Sequence, residues 1–175
     1  WSERGCRVLL LAAYDTAFDD GPLQSAHVAP IALVFLSNLL RPDAQETFRY
    51  FASQGVSVRV ISGDNPITVA QVATRAGIEN ADRYVDATTL STEQDFEEAV
   101  KYYTVFGRVT PEQKRYLVRA FQKQGHTVAM TGDGVNDVLA LKDANCGIAM
   151  ASGSQAASQV AQIVLLNSQF SAMPA

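Results

Sequence analysis

The chain has 175 residues, a length that holds one α/β domain of ordinary size with little left over. Fourteen Lys and Arg against 18 Asp and Glu give a formal net charge of −4 with no basic run, which disfavours nucleic-acid and polybasic membrane-surface roles. Hydrophobic residues at 47% describe a chain that buries a core, and the longest apolar stretch, the nine residues from Val28 to Leu36, is about half of what spans a bilayer.

Short apolar runs alternate with amphipathic segments, which predicts an α/β fold: a mostly parallel sheet covered by helices. Strands are expected at Arg7 to Ala12, Ile31 to Leu36 and Val56 to Ile61, then at Thr127 to Met130, Gly147 to Met150 and Ile163 to Leu166. A helix from Pro42 to Gln54 carries Ala44, Phe48 and Phe51 on one face and ends at Gly55. A second starts with Pro66 and ends before Gly77. Residues 80–104 read as a short strand near Tyr84-Val85 and an acidic helix around Glu93 to Lys101. Thr110-Pro-Glu-Gln113 is a capping box opening a helix that runs to Gly125. Cys6 and Cys146 belong to no Cys-x-x-Cys pair, so neither a disulfide framework nor a structural zinc site is expected.

An internal echo locates the candidate site. Val58-Arg-Val-Ile-Ser-Gly-Asp64 and Thr127-Val-Ala-Met-Thr-Gly-Asp133 are each an apolar strand ending in hydroxyl-Gly-Asp before a helix. Ligands of open parallel sheets bind beyond the carboxyl ends of strands, so both triplets are expected on one rim. In Thr131-Gly-Asp-Gly-Val-Asn-Asp137 the glycines permit a sharp turn, and Asp133 and Asp137 share a face if the segment is helical. Magnesium takes one or two carboxylates with phosphate oxygens and waters, which suits this pair. Asn136 offers hydrogen bonds without charge. Lys114, in the first turn of its helix, offers a point charge to a phosphoryl group. Ser62 and Gly63 offer a hydroxyl and backbone N–H groups, with Asp64-Asn65-Pro66 opening a helix. Arg41, by itself, is a surface arginine. His27 and His126 read as solvated loop residues, and no Gly-x-x-x-x-Gly-Lys-Ser/Thr loop is present.

Ser62-Gly-Asp-Asn-Pro66, Arg108-Val-Thr-Pro-Glu-Gln-Lys114 and Thr131-Gly-Asp-Gly-Val-Asn-Asp137, in this order, closely resemble the phosphorylation domain of P-type cation-transporting ATPases, in the haloacid dehalogenase superfamily. The likeness continues through Ala140-Leu-Lys-Asp-Ala144, Gly147 to Gly153 and Ile163 to Phe170. It implies a three-layer, parallel-sheet Rossmannoid domain. It implies that Asp133 binds magnesium, that Asn136 and Asp137 complete the acidic pocket with Asp137 also near the metal, and that Lys114 neutralises the phosphoryl group. Ser62 and Gly63 would hold phosphoryl oxygens, and Asp64, Arg41 and Asn38 would face ATP. Asn38-Leu-Leu-Arg41 departs from the family's Asp-Pro-x-Arg hinge at Asn38 and Leu39.

The family's nucleophile, the first aspartate of Asp-Lys-Thr-Gly-Thr, occurs nowhere in these residues. The resemblance therefore implies a fragment of a longer membrane pump, on the cytoplasmic side of the cell membrane. Residues 1–20 would close a nucleotide-binding domain and its hinge, and residues 21–175 would form the C-terminal part of the phosphorylation domain. Such a fragment is expected not to phosphorylate itself. The strand bearing the nucleophile would sit between the Val58 and Thr127 strands, leaving these two unpaired with each other until the rest of the pump, or another copy, completes the sheet. Calcium, magnesium or a similar cation is the expected cargo. A stand-alone phosphatase of the superfamily, which needs its own Asp-x-Asp, and an inactive interaction module are the competing readings.

Overall fold

The computed structural model describes residues 6–16, 22, 25–37 and 39–173. Its first strands, β1 (Cys6–Tyr14) and β2 (Val28–Ser37), pair antiparallel from Cys6 opposite Ser37 to Tyr14 opposite Val28. The parallel pattern expected from the sequence thus begins only after this pair, and the domain boundary expected at residue 20 falls between its two strands. Pro30 has no N–H to give to the ladder, and the register slips beside it, between Leu11 and Ala12. Leu9, Leu10, Leu11, Ile31, Leu33 and Leu36 are exposed, so apolar side chains occupy both faces of the pair.

After Leu40 the chain enters α1 (Ala44–Ser53), whose Phe48 and Phe51 rings lie 5.6 and 5.4 Å from the ring of Phe170 near the C-terminus. Gly55, at φ +74°, releases the chain in the left-handed region that glycine enters without a Cβ clash. The next elements are β3 (Val60–Ile61), α2 (Pro66–Arg75), β4 (Tyr84–Asp86), α3 (Glu93–Tyr102), β5 (Val105–Gly107) and α4 (Pro111–Lys123). The three strands are parallel in the order β3-β5-β4.

Successive strand side chains point to opposite faces, and that alternation builds the layers. Val60 and Val105 pack with Ala70 and Ala73 of α2. Ile61 and Phe106 pack on the other side with Phe96 of α3 and Leu117 and Phe121 of α4. The result is the α/β three-layer arrangement expected. Thr110 and Gln113 form the expected capping box, and Thr92 with Asp95 forms a second one at α3.

A second parallel sheet contains β6 (Ala129–Gly132), β7 (Cys146–Met150) and β8 (Ile163–Leu165) in that order, with α5 (Val138–Asp143) and α6 (Gln155–Val160) against β7. β3 and β6 do not hydrogen-bond to each other; each is the outer strand of its own sheet. This is the open position expected between the Val58 and Thr127 strands. α4 splints the two sheets: Leu117 belongs to the first core and the adjacent Val118 to the second. Its Arg115 and Arg119 both donate from Nε to the Asp143 carboxylate on α5, at 2.9 Å. Among the described residues no helix is long and apolar enough to cross a membrane.

Candidate functional site

Local sequence explains the rim. β3 stops at Ile61, and Ser62-Gly-Asp turns the chain into α2, where Asn65 caps the helix by accepting from the Ile67 N–H at 3.0 Å and Pro66 fills the first turn. Ser62 Oγ accepts from the Asp64 N–H at 3.1 Å. The loop after β5 clamps this turn: Arg108 N–H donates to the Asp64 carbonyl at 2.8 Å and Val109 N–H to the Ser62 carbonyl at 3.0 Å. Arg108 makes the first bond from φ +53°, a left-handed backbone that costs energy for a non-glycine residue. Its guanidinium reaches Asp86 Oδ2 at 3.0 Å.

Lys114 lies one turn into α4 and is nearly buried. Its Nζ donates to Asp137 Oδ1 at 2.6 Å, across the opening between the two sheets. The other oxygen of Asp137 accepts from the N–H of Gly134 at 3.0 Å and of Asp133 at 3.3 Å. Both oxygens of this buried carboxylate are thus satisfied by the protein, as a charge out of water requires. Gly132 makes room for it: a Cβ there would come within 2.5 Å of the Asp137 Cβ.

Asp133 and Asp137 do not share a helix face. Gly134 opens a 3₁₀ turn over Val135–Asp137, which turns Asp137 inward and leaves Asp133 exposed on the rim. The Asp133 carboxylate has no partner among the described residues, and Asn136 is exposed beside it. No group of three His, Cys, Asp or Glu side chains closes a metal cage among the described residues. The free Asp133 carboxylate fits magnesium, which takes few protein ligands and completes its shell with phosphate oxygens and water.

The structure brings Ser62, Gly63 and Asp64 to the carboxyl end of one sheet, and Asp133, Asn136 and Asp137 to that of the other, with Lys114 between. Arg41 stands apart, donating from Nη1 to the Ser168 carbonyl at 3.3 Å. Asn38 lies outside the described residues. His27, read as a solvated loop residue, meets Asp15 Oδ1 through Nδ1 at 2.8 Å. Sequence reasoning missed Arg108 as the clamp of the Ser62 turn; its strained backbone has no local signature.

A model of haloacid dehalogenase-like hydrolases matches residues 3–145. The chain belongs to this family. Relatives of this haloacid dehalogenase-like chain are P-type cation-transporting ATPases. The calcium-transporting ATPase CtpE of Mycobacterium tuberculosis is 55% identical over 172 residues, 98% of this chain and 21% of that protein. The magnesium-transporting ATPase, P-type 1, of Salmonella typhimurium is 34% identical over 95% of this chain and 19% of its own length. A solved zinc-transporting PIB-type ATPase in its E2.Pi state superposes at TM-score 0.62 with 26% identity, over 95% of this chain and 21% of that one. The chain spans about a fifth of the length of the curated relatives it matches.

Proposed function

We propose that this chain is the phosphoryl-handling segment of an ATP-driven cation pump on the cytoplasmic side of the cell membrane, and that it holds magnesium and the phosphoryl group while an aspartyl-phosphate forms and is hydrolysed. The observation that carries this reading is the Lys114–Asp137 pair, which joins α4 to the turn after β6 while β3 and β6 stay unpaired with each other, with the free Asp133 carboxylate beside it. A nucleophile at the carboxyl end of a strand inserted there would meet every group phosphoryl transfer needs, which is positioning and charge stabilisation.

In this reading Lys114 shares its charge between Asp137 and the phosphoryl oxygens. Ser62 Oγ and the Gly63 N–H donate to those oxygens, and Asn136 and Asp137 shape the pocket. Asp133 would hold magnesium, which when bound neutralises phosphate charge. Asp64 would face the nucleotide, and Arg41 would reach it on leaving the Ser168 carbonyl. The strand that completes the sheet comes from the rest of the pump. An apolar cavity of about 390 Å³, lined by Leu40, Phe48, Val60, Val69 and Phe170 among others, lies on the α2 face of β3. Since all of β2 pairs with β1, the nucleotide-binding domain is best extended to residue 37, with the hinge at residues 38–43. Calcium is the favoured cargo, by likeness to the calcium-transporting relatives, ahead of magnesium.

The reading frame ahead of Trp1 is expected to encode Asp-Lys-Thr-Gly-Thr. Membranes holding the whole pump are expected to take label from γ-labelled ATP into an acid-stable, hydroxylamine-sensitive adduct, while the 175-residue chain takes none. Lys114→Met in the pump should remove most of the label. A pump whose label is untouched by that substitution, or a frame without the pentapeptide, would overturn the proposal.

A further inference from the structure

The loop between β7 and α6 has no assigned role, yet it touches the peptide of Asp133, whose carboxylate is exposed on the rim. Its four N–H groups are all engaged, and they reach three different parts of the chain. Ala151 donates to the Leu165 carbonyl at 3.1 Å, Gly153 to the Met150 carbonyl at 2.9 Å and Ser154 to the Asp133 carbonyl at 2.6 Å. Ser152 donates to Ser168 Oγ at 2.9 Å. Ser168 holds a left-handed backbone at φ +52°, and its carbonyl accepts from Arg41. Gly153 sits so close to Asp133 that an added Cβ would overlap the Asp133 carbonyl oxygen and lie 2.8 Å from its Cα.

These contacts fall on the backbone of Asp133 and leave its side chain free. A carboxylate that must meet an ion without reorganising has to be fixed through its own peptide, since it has no side-chain partner to orient it. We propose that residues 151–154 are a positioning element for the Asp133 carboxylate: Gly153 and Ser154 fix its peptide, and Ser168 fixes the loop. The proposal rests on the reading of Asp133 as the divalent-cation ligand. It adds residues that touch neither ion nor phosphate but set how well the ion is held.

The ¹⁵N-labelled 175-residue chain titrated with Mn²⁺ provides the test, because paramagnetic broadening reports binding at individual amides. In the unmodified chain the Asp133 and Gly134 amides should broaden selectively and recover on adding Mg²⁺. Gly153→Ala, which crowds the Asp133 peptide, should raise the Mn²⁺ concentration for half-broadening about tenfold, the low end for losing a group that supports a ligand. Ser154→Pro removes the N–H at a residue whose φ of −73° proline tolerates, and should act alike. The conservative Ser154→Ala keeps the N–H and should restore the original half-broadening. Ser168→Ala, remote from the ion, should raise it about two- to threefold, as loss of one neutral hydrogen bond does.

Half-broadening unchanged in both Gly153→Ala and Ser154→Pro would overturn the proposal. Where those two variants lose the native amide spectrum, Ser168→Ala decides alone, and an unchanged value there overturns it. No selective broadening in the unmodified chain would instead remove Asp133 as a cation ligand, and this proposal with it.

Discussion

The two parallel sheets each have three strands linked by helices, in the orders β3-β5-β4 and β6-β7-β8, but are built from different materials. On its α3 and α4 side the first is filled by Phe96, Phe106, Leu117 and Phe121, under two helices with complete capping boxes, while its α2 side is filled by Ala70, Ala73, Ala81 and Val105. The second is filled largely by alanines, with Ala140, Ala149 and Ala157 fully buried, and its helices have six residues each. Glycines do much of its packing: a Cβ on Gly147 would stand 2.6 Å from the Leu141 carbonyl, and one on Gly132 would meet Asp137. Large side chains let the first half gain stability from burial. Small ones let backbones approach closely, once in the first half at Gly107 against Pro66 and three times in the second at Gly132, Gly147 and Gly153, where the approaches deliver Asp133 and Asp137 to the rim. Substitutions in the first half should therefore act mainly on stability, and in the second mainly on geometry.

The largest effect is expected in the first core. Phe106 is fully buried between α3 and α4, and Phe106→Ala should lower unfolding free energy by about 3–5 kcal/mol in urea titrations. A loss under ~1 kcal/mol would show that this half is not held by burial. Next comes the pair between the halves. Lys114→Met leaves Asp137 buried with only two N–H partners and should cost about 3 kcal/mol. Adding Asp137→Asn should restore part of that loss, because the unpaired charge is gone. A double variant that loses the sum of the two single losses would mean the pair does not couple the sheets.

Much of this arrangement was legible in the sequence. Proline and glycine punctuation marked α1, α2 and α4, and the repeated hydroxyl-Gly-Asp triplet marked the carboxyl ends of two strands, β3 and β6. Four features were not legible. β5 is three residues long and wholly buried, so Val105–Gly107 offers no alternation to detect, although it is the middle strand of its sheet. The run from Val56 to Ile61 reads as a strand, but only Val60 and Ile61 pair, because β5 is short. The spacing of Asp133 and Asp137 suggested a shared helix face, whereas the turn at Gly134 separates them. The direction of that turn depends on Lys114, 23 residues away, and on space at Gly132. The tie from Ser168 to Ser152 likewise exists only once β8 has docked beside β7.

In the second half, Gly147→Ala forces a Cβ against the Leu141 carbonyl at the end of α5. It should cost about 1–3 kcal/mol and shift the amide resonances of α5 and β7, while those of α3 stay in place. Resonance changes confined to the first sheet would contradict the division drawn between the halves. At the edge of the first half the effect is smaller. Thr92→Ala removes one bond of the α3 capping box and should cost about 1 kcal/mol with no change at the rim.

The smallest effect is a dependence on pH, and it belongs to the first half. Asp86 accepts from the Thr88 hydroxyl and N–H and, more weakly in effect, from Arg108, and these bonds hold its carboxyl below the usual carboxylate range. Asp95 is held low in the same direction by the N–H groups of Thr92 and Ser91. A carboxyl whose folded pKa is depressed contributes stability that is complete above its unfolded value, about 3.9, and is lost as pH falls through the folded value. Stability of the chain should therefore decline below about pH 4, and Asp86→Asn should flatten that decline while lowering stability at neutral pH. Because Asp86 anchors the guanidinium of Arg108, whose N–H clamps Asp64, acid should loosen the Ser62 turn. Amide exchange at Arg108 and Val109, followed from pH 6 to pH 3, measures this. Protection unchanged across that range would show that Asp86 does not support the turn.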